Sequence, residues 1–206
     1  MNSWIIYSIG FTAQFLYFGR SIIQWFLSEK SKKVETPSIF WKLSLMGSIL
    51  MFIYGYFRND FAIMLGQSIT YFIYIRNLHF QQEWKKLPII IRFLLLVFPL
   101  FVVLFYFNNN RIDVYHFFHS NNIATWLLIW GIVAQITFTM RFVYQWYKSE
   151  KSKISTLPKG FWILSLIGSS MLLIYAIFRK DPVLFLGNIF SVFLYTRNLV
   201  LLKKEI

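Results

Sequence analysis

The chain reads as an all-α membrane protein of seven transmembrane helices, arranged as two parallel three-helix repeats joined by a linker helix. Three observations predict this. The 206 residues are 57% apolar and only 14% charged, whereas a soluble domain averages roughly 45–50% apolar and about 25% charged. The apolar residues gather in runs near the ~20 residues that a spanning helix needs. Finally, residues 10–78 align with 131–199 without a gap and 31 of those 69 positions are identical, the mark of an internal repeat.

The elements follow in order. The first run, 4–27, holds Gln14, Arg20 and Gln24. It lacks the basic start and small-residue cleavage site of a leader, so a retained helix is expected. Thr36 and Pro37 predict the start of a second helix over 39–57, as a cap followed by a first-turn proline. Asp60 opens the third run, 61–78, at the positive end of a helix dipole. The fourth run, 89–107, has no counterpart in the repeat and is the expected linker. Runs at 123–147, 161–178 and 182–202 repeat the first three, with Pro158 and Asp181 standing where Pro37 and Asp60 stood. Backbone groups in lipid must be satisfied internally, and no alternating barrel pattern is present, so the runs are helices. The expected division is 1–80 for the first repeat, 81–121 for the linker helix and its loops, and 122–206 for the second repeat. One helix between two three-helix units gives both the same orientation, a transporter arrangement about an axis along the membrane normal.

The net charge of +13 belongs to topology rather than to nucleic acid, because no soluble domain exists to carry a basic face. Twelve Lys and Arg fall on the side reached after the first, third, fifth and seventh spans, among them Lys30, Lys32, Lys33, Lys148, Lys151 and Lys153. Four fall on the other: Arg58, Arg111, Arg179 and Lys180. The positive-inside rule then predicts an external N-terminus and a cytoplasmic C-terminus. The absence of cysteine excludes thiol nucleophiles and Cys-ligated zinc.

The sequence "RSIIQWFLSEKSK" at 20–32 returns as "RFVYQWYKSEKSK" at 141–153. Polar residues therefore recur inside apolar runs. Gln14 and Gln135 lie near mid-span; Arg20 and Arg141 follow, with Gln24 and Gln145 one turn on and on the same face. Arg76-Asn77 and Arg197-Asn198 sit late in the third and seventh runs. An intramembrane arginine costs about 2.5 kcal/mol or more on insertion scales. Snorkelling is the plain explanation of the arginines and interhelical hydrogen bonding that of the glutamines. Glu29 and Glu150 are expected in loops, and Asp60 and Asp181 across the membrane with Arg58 and Arg179 as near partners. That leaves up to four arginines without a carboxylate. Arginine's planar fork suits phosphate. The expected site is a cationic, pseudo-symmetric cavity lined by these ten residues, with an anionic lipid or lipid-linked sugar phosphate as the ligand.

Other signals are set aside. His116 and His119 have helical spacing but no third ligand, so no metal site is expected. Ser28, Ser31, Ser149 and Ser152 have no base and read as loop and capping residues. No phosphate-cradling loop, nucleotide fingerprint or pair of catalytic carboxylates is found. Neither a cofactor nor a catalytic residue is expected.

The motif formed by Gln14, Arg20, Gln24-Trp25, Ser28-Glu29, Pro37, Phe40-Trp41, Leu43-Ser44-Leu45, Gly47-Ser48, Tyr54, Phe57-Arg58, Asp60, Leu65-Gly66, Tyr74 and Arg76-Asn77-Leu78 resembles the lipid A biosynthesis N-terminal domain family. A second copy runs from Gln135 to Leu199. That family resembles the SWEET and PQ-loop transporters, which implies the same three-one-three architecture. The PQ dipeptide is Ala13-Gln14 and Ala134-Gln135 here, without the proline that would kink a helix. The resemblance implies a bacterial inner-membrane protein of lipid A metabolism, either a transporter or flippase for a phosphate-bearing glycolipid or polyprenyl-phosphate carrier, or a non-transporting subunit that recruits or regulates a lipid A enzyme such as the disaccharide synthase. Spans and short loops account for the whole chain, so the chain itself is expected not to be an enzyme.

Overall fold

The computed structural model describes residues 3–58, 60–108 and 124–204. Among these, seven α-helices follow one another: α1 Ser3–Ser31, α2 Ser38–Phe57, α3 Phe61–Phe80, α4 Ile89–Asn108, α5 Thr125–Ser152, α6 Lys159–Arg179 and α7 Pro182–Lys204, with a 3-10 turn at Trp84–Lys86 before α4. Each helix covers one apolar run. Four of them, α2, α5, α6 and α7, are long and apolar enough to cross a membrane. His116 and His119 lie outside the described residues.

The helix starts differ in one respect from expectation. Pro37 and Pro158 themselves occupy the N-cap positions in extended conformation, without a side-chain cap. Thr36 is not the cap; its carbonyl accepts from Gln81 Nε2 at 2.7 Å, which ties the α1–α2 loop to the end of α3. Asp60 does cap α3, accepting from the Ile63 amide at 3.1 Å, and Asp181 accepts from the Val183 and Leu184 amides at 3.0 Å. Lys32 and Lys153 take the left-handed conformation just past α1 and α5, with φ of 55° and 57°, where a helix commonly stops. In the α3–α4 loop, hydrogen bonds from Lys42 and Lys86 hold the Glu83 carboxyl below its usual range.

The distribution of polarity is inverted relative to a soluble protein. Trp4, Phe15, Ile89 and Phe193 are each at least 67% exposed, while Arg20, Gln24, Asn77, Arg141, Gln145 and Asn198 are each at most 4% exposed. Polar groups inside and bare aromatics outside suit an apolar solvent. Within each half the helices pack in sequence, and the halves meet along two seams, α1 against α7 and α3 against α5. The α4 helix lies beside the first half, where Leu95 accepts from Tyr71 Oη at 2.6 Å and Phe98 packs on Tyr71 and Phe52.

The contacts between halves come in pairs related by 121 positions. Tyr54 donates to Asp181 and Tyr175 to Asp60, both at 2.9 Å. Arg76 pairs with Glu150 and Arg197 with Glu29, both at 2.8 Å. Asn77 bonds Gln145, and Gln24 bonds Asn198. Each contact recurs with its roles exchanged, which is what a two-fold relation between like units requires. One apolar cluster, with Trp41, Tyr74, Phe142, Phe161, Trp162 and Tyr195, closes one end of the bundle. A second, with Met51, Tyr54, Tyr175 and Val183, closes the other. A cavity lies between them.

Candidate functional site

The cavity has room for a few water molecules, about 70 Å³, and Arg20 and Arg141 both line it. The repeat places them there. Each arginine projects from the long first helix of its half, and Ser44 or Ser165 reaches it from the second helix. Arg20 Nη1 donates to Ser44 Oγ. Arg141 Nη1 donates to Tyr195 Oη at 2.6 Å and to Ser165 Oγ at 3.4 Å.

Aromatic faces do much of what a counter-ion would. The Arg20 guanidinium lies 4.5 Å from the Tyr17 ring centre, 4.8 Å from Phe40 and 5.7 Å from Tyr74. Arg141 lies 3.5 Å from Phe138 and 5.5 Å from Phe161. One ring serves both, since Phe142 stands 5.6 Å from Arg20 and 4.5 Å from Arg141. Desolvated cation–π contacts contribute up to about 2 kcal/mol each, so the cages offset much of the cost of burying charge. They do not satisfy every donor. Arg20 Nε and Arg141 Nε are buried and without a hydrogen-bond partner, and none of the described side chains lining the cavity is a carboxylate. Two guanidinium groups with unspent donors and no negative charge favour an anion.

The ten residues singled out in the sequence divide into three groups. Gln14, Arg20, Gln135 and Arg141 line the cavity. The glutamines also cross between halves, Gln14 lying on Gly187 and Gln135 on Gly66, so closely that a Cβ at either glycine would displace them. Gln24, Asn77, Gln145 and Asn198 do not line the cavity; they build two knots between the halves. Gln145 Nε2 donates to Asn77 Oδ1 at 2.9 Å, to Ser149 Oγ at 2.8 Å and to the Thr156 carbonyl at 3.1 Å. Gln24 Nε2 donates to Ser28 Oγ at 2.9 Å and to Asn198 Oδ1 at 3.3 Å. Ser28 and Ser149 in turn accept from the Glu35 and Thr156 amides, anchoring the following loops.

Arg76 and Arg197 form the third group, and here the expectation of four unbalanced arginines is corrected. Glu150 and Glu29 are not free loop carboxylates but lie on the last turns of α5 and α1, within reach of the other half. The unbalanced pair is Arg20 and Arg141 alone. The expected pairing at the far end changes as well: Arg58 reaches Asp181, at 3.6 Å, across the halves. The sequence reading missed Ser44, Ser165 and Tyr195 as arginine partners. Their signal was present, because all three, with Tyr74, are identical in both copies.

The family described as Lipid A Biosynthesis N-terminal domain matches this chain twice, over residues 9–79 and 130–200. The lipid-A-disaccharide synthase of Chlamydia pneumoniae is 33% identical over 211 residues, covering 98% of this chain and 34% of that protein. That of Chlamydia felis (strain Fe/C-56) is 32% identical over 190 residues, covering 87% of this chain and 30% of that protein. The chain thus spans about a third of the length of these curated relatives. No solved structure matches it. The expectation that the chain is not an enzyme is corrected by these relatives, which bear an enzyme's name.

Proposed function

The chain belongs to the lipid A biosynthesis N-terminal domain family, and from this premise we propose that it is an inner-membrane module that binds a phosphate-bearing lipid between its two halves and carries it across the bilayer. Seven spans in a SWEET-like three-one-three order, with the N-terminus outside and the C-terminus in the cytoplasm, provide the frame. A glycolipid or polyprenyl-phosphate carrier of the lipid A pathway is the substrate class.

The observation that carries this reading is the cavity with two guanidinium groups, each with an orphaned buried Nε, and no lining carboxylate among the described residues. Bidentate donors of this kind match phosphate oxygens. At about 70 Å³ the space suits a phosphate group and not a disaccharide, so this arrangement corresponds to a closed state. Transport requires the halves to part and close again.

A second reading is favoured by the relatives. A module that shares about a third of a disaccharide synthase would hold the lipid for that enzyme, or recruit or regulate it, without moving the lipid across. Its basic loops "SEKSKK" and "SEKSKIS" would then meet the enzyme or anionic lipid. Purified protein in liposomes with a fluorescent long-chain lipid phosphate separates the two. Transbilayer movement that falls at least tenfold in Arg20→Gln and Arg141→Gln supports transport. Binding without movement supports the second reading. Equal stabilisation by neutral and phosphorylated lipids, unchanged in both variants, removes both. Losing one charge-assisted phosphate contact should weaken binding by about 1.5–3 kcal/mol, roughly ten- to a hundredfold.

A further inference from the structure

The two seams between the halves are built from equivalent positions yet are not equally closed. At the α3–α5 seam Phe142 is 1% exposed, with its ring 4.9 Å from Tyr74 and 5.3 Å from Phe161. The equivalent position in α1 is Ser21. There the α1–α7 seam holds an apolar groove of about 310 Å³, walled by Phe11, Phe15, Phe190 and Leu194. Its outer wall faces the surroundings of the protein, Phe15 being 74% and Phe190 50% exposed. Its inner wall is shared with the cationic cavity, because Gln14, Tyr17, Ser21, Gly187 and Ser191 line both.

The hydrogen bonds are unequal in the same direction. At the α3–α5 seam Asn77 and Gln145 exchange two bonds, at 3.1 and 2.9 Å, and Ser155 adds one to Asn77 at 2.8 Å while accepting from Trp41 Nε1 at 2.9 Å. At the α1–α7 seam the corresponding link among the described residues is one bond of 3.3 Å, from Gln24 to Asn198. Trp162, the equivalent of Trp41, bonds within its own half, to the Leu157 carbonyl at 3.3 Å.

We propose that the α1–α7 seam is a lateral entrance from the bilayer, and that its occupant is the hydrocarbon chain of a lipid monophosphate whose phosphate rests between Arg20 and Arg141. The proposal rests on the phosphate reading of the cavity and names the ligand within it. An apolar slot open to lipid leads directly into a small cationic pocket. The complementary molecule has a long chain next to a compact anionic head, so a bulky sugar is not what the closed cavity holds. The α3–α5 seam stays shut and acts as the fixed side about which the halves part.

The test uses hexadecyl phosphate, hexadecanol and inorganic phosphate as probes of the full chain in maltoside micelles, with binding followed by thermal shift. Ser21→Phe gives the first half the residue of the second and fills the neck of the groove. The expected result is a tenfold or greater loss of affinity for hexadecyl phosphate with the response to inorganic phosphate retained. Arg20→Gln should weaken both phosphates. Since the chain has no cysteine, Ser191→Cys offers a unique thiol in the shared wall. Hexadecyl phosphate should slow its alkylation at least fivefold and hexadecanol should not, a readout that stands even if Ser21→Phe fails to fold. Wild-type affinity of Ser21→Phe for hexadecyl phosphate, or no protection of the thiol, overturns the lateral entrance while leaving the phosphate site intact. Failure of every phosphate probe to respond to Arg20→Gln overturns the phosphate site itself.

Discussion

The two halves of this protein share nearly all the polar residues of their interface and differ in a few apolar and small ones, and those few decide which seam is tight. Gln24 and Gln145, Asn77 and Asn198, and Asp60 and Asp181 are repeated because each serves the same contact with the other half, and Arg20 and Arg141 because both line the cavity between the halves. Ser21 and Phe142, Tyr17 and Phe138, and Val34 and Ser155 are not repeated. Where the second half supplies Phe142 and Ser155, the seam fills with a ring and gains hydrogen bonds. Where the first half supplies Ser21, a groove is left, and the Gln24–Asn198 link across that seam is one long bond among the described residues. The comparison shows how a duplicated unit acquires a tightly packed seam and a grooved one around the same central cavity.

The largest test concerns two equivalent glycines. A Cβ on Gly168 would come within 2.5 Å of the Phe138 Cα and 2.7 Å of its backbone nitrogen, whereas the nearest atoms to one on Gly47 belong to the Tyr17 ring, the first at 2.8 Å. Backbone cannot step aside, whereas the Tyr17 side chain borders the cavity and the groove and is held by one hydrogen bond to Gln67. Gly168→Ala should destabilise by about 3 kcal/mol and Gly47→Ala by about 1 kcal/mol, the range of overpacking effects. Equal shifts in thermal unfolding of the two purified variants would break the claim that the second half is the more tightly packed.

A smaller effect is expected at the knots. Asn77→Ala removes two bonds to Gln145 and one from Ser155, leaving buried groups unpaired, and should cost about 2 kcal/mol. Asn198→Ala loses one long bond across the seam and should cost about 1 kcal/mol or less. Denaturation midpoints in the reverse order would show that the α1–α7 seam is the firmer one.

The ion pairs sharpen the comparison from the other side, because here the halves are alike. The Arg76 and Arg197 side chains are 45% and 39% exposed, so Arg76→Gln and Arg197→Gln should each change stability by about 0.5 kcal/mol or less, equally, and the effect should fade in high salt. The smallest difference is expected past α1 and α5. Lys32→Gly and Lys153→Gly relieve the same left-handed backbone and should each stabilise by a few tenths of a kcal/mol, on the order of a glycine's advantage there. Unequal responses at either pair would extend the asymmetry beyond the seams.

Much of this was legible in the chain alone. Hydropathy located each described helix to within a few residues, since the length and apolarity of a run are local properties. The 121-residue offset marked the duplication and with it the paired polar positions between the halves, though not the unrepeated Ser21 and Ser155. It also showed that the polar residues belong in pairs, because a duplicated contact must be encoded twice. What each residue touches was decided only by the tertiary structure. Glu29 and Glu150 looked like loop acids until α1 and α5 proved to run on to Ser31 and Ser152, which brings them under Arg197 and Arg76. Gln24 and Asn77 looked like cavity residues, yet the rotation between halves turns each onto its partner across a seam. That rotation depends on packing between residues more than a hundred positions apart. No local pattern encodes it, and it separates the two arginines that face the cavity from the two that are tied to carboxylates.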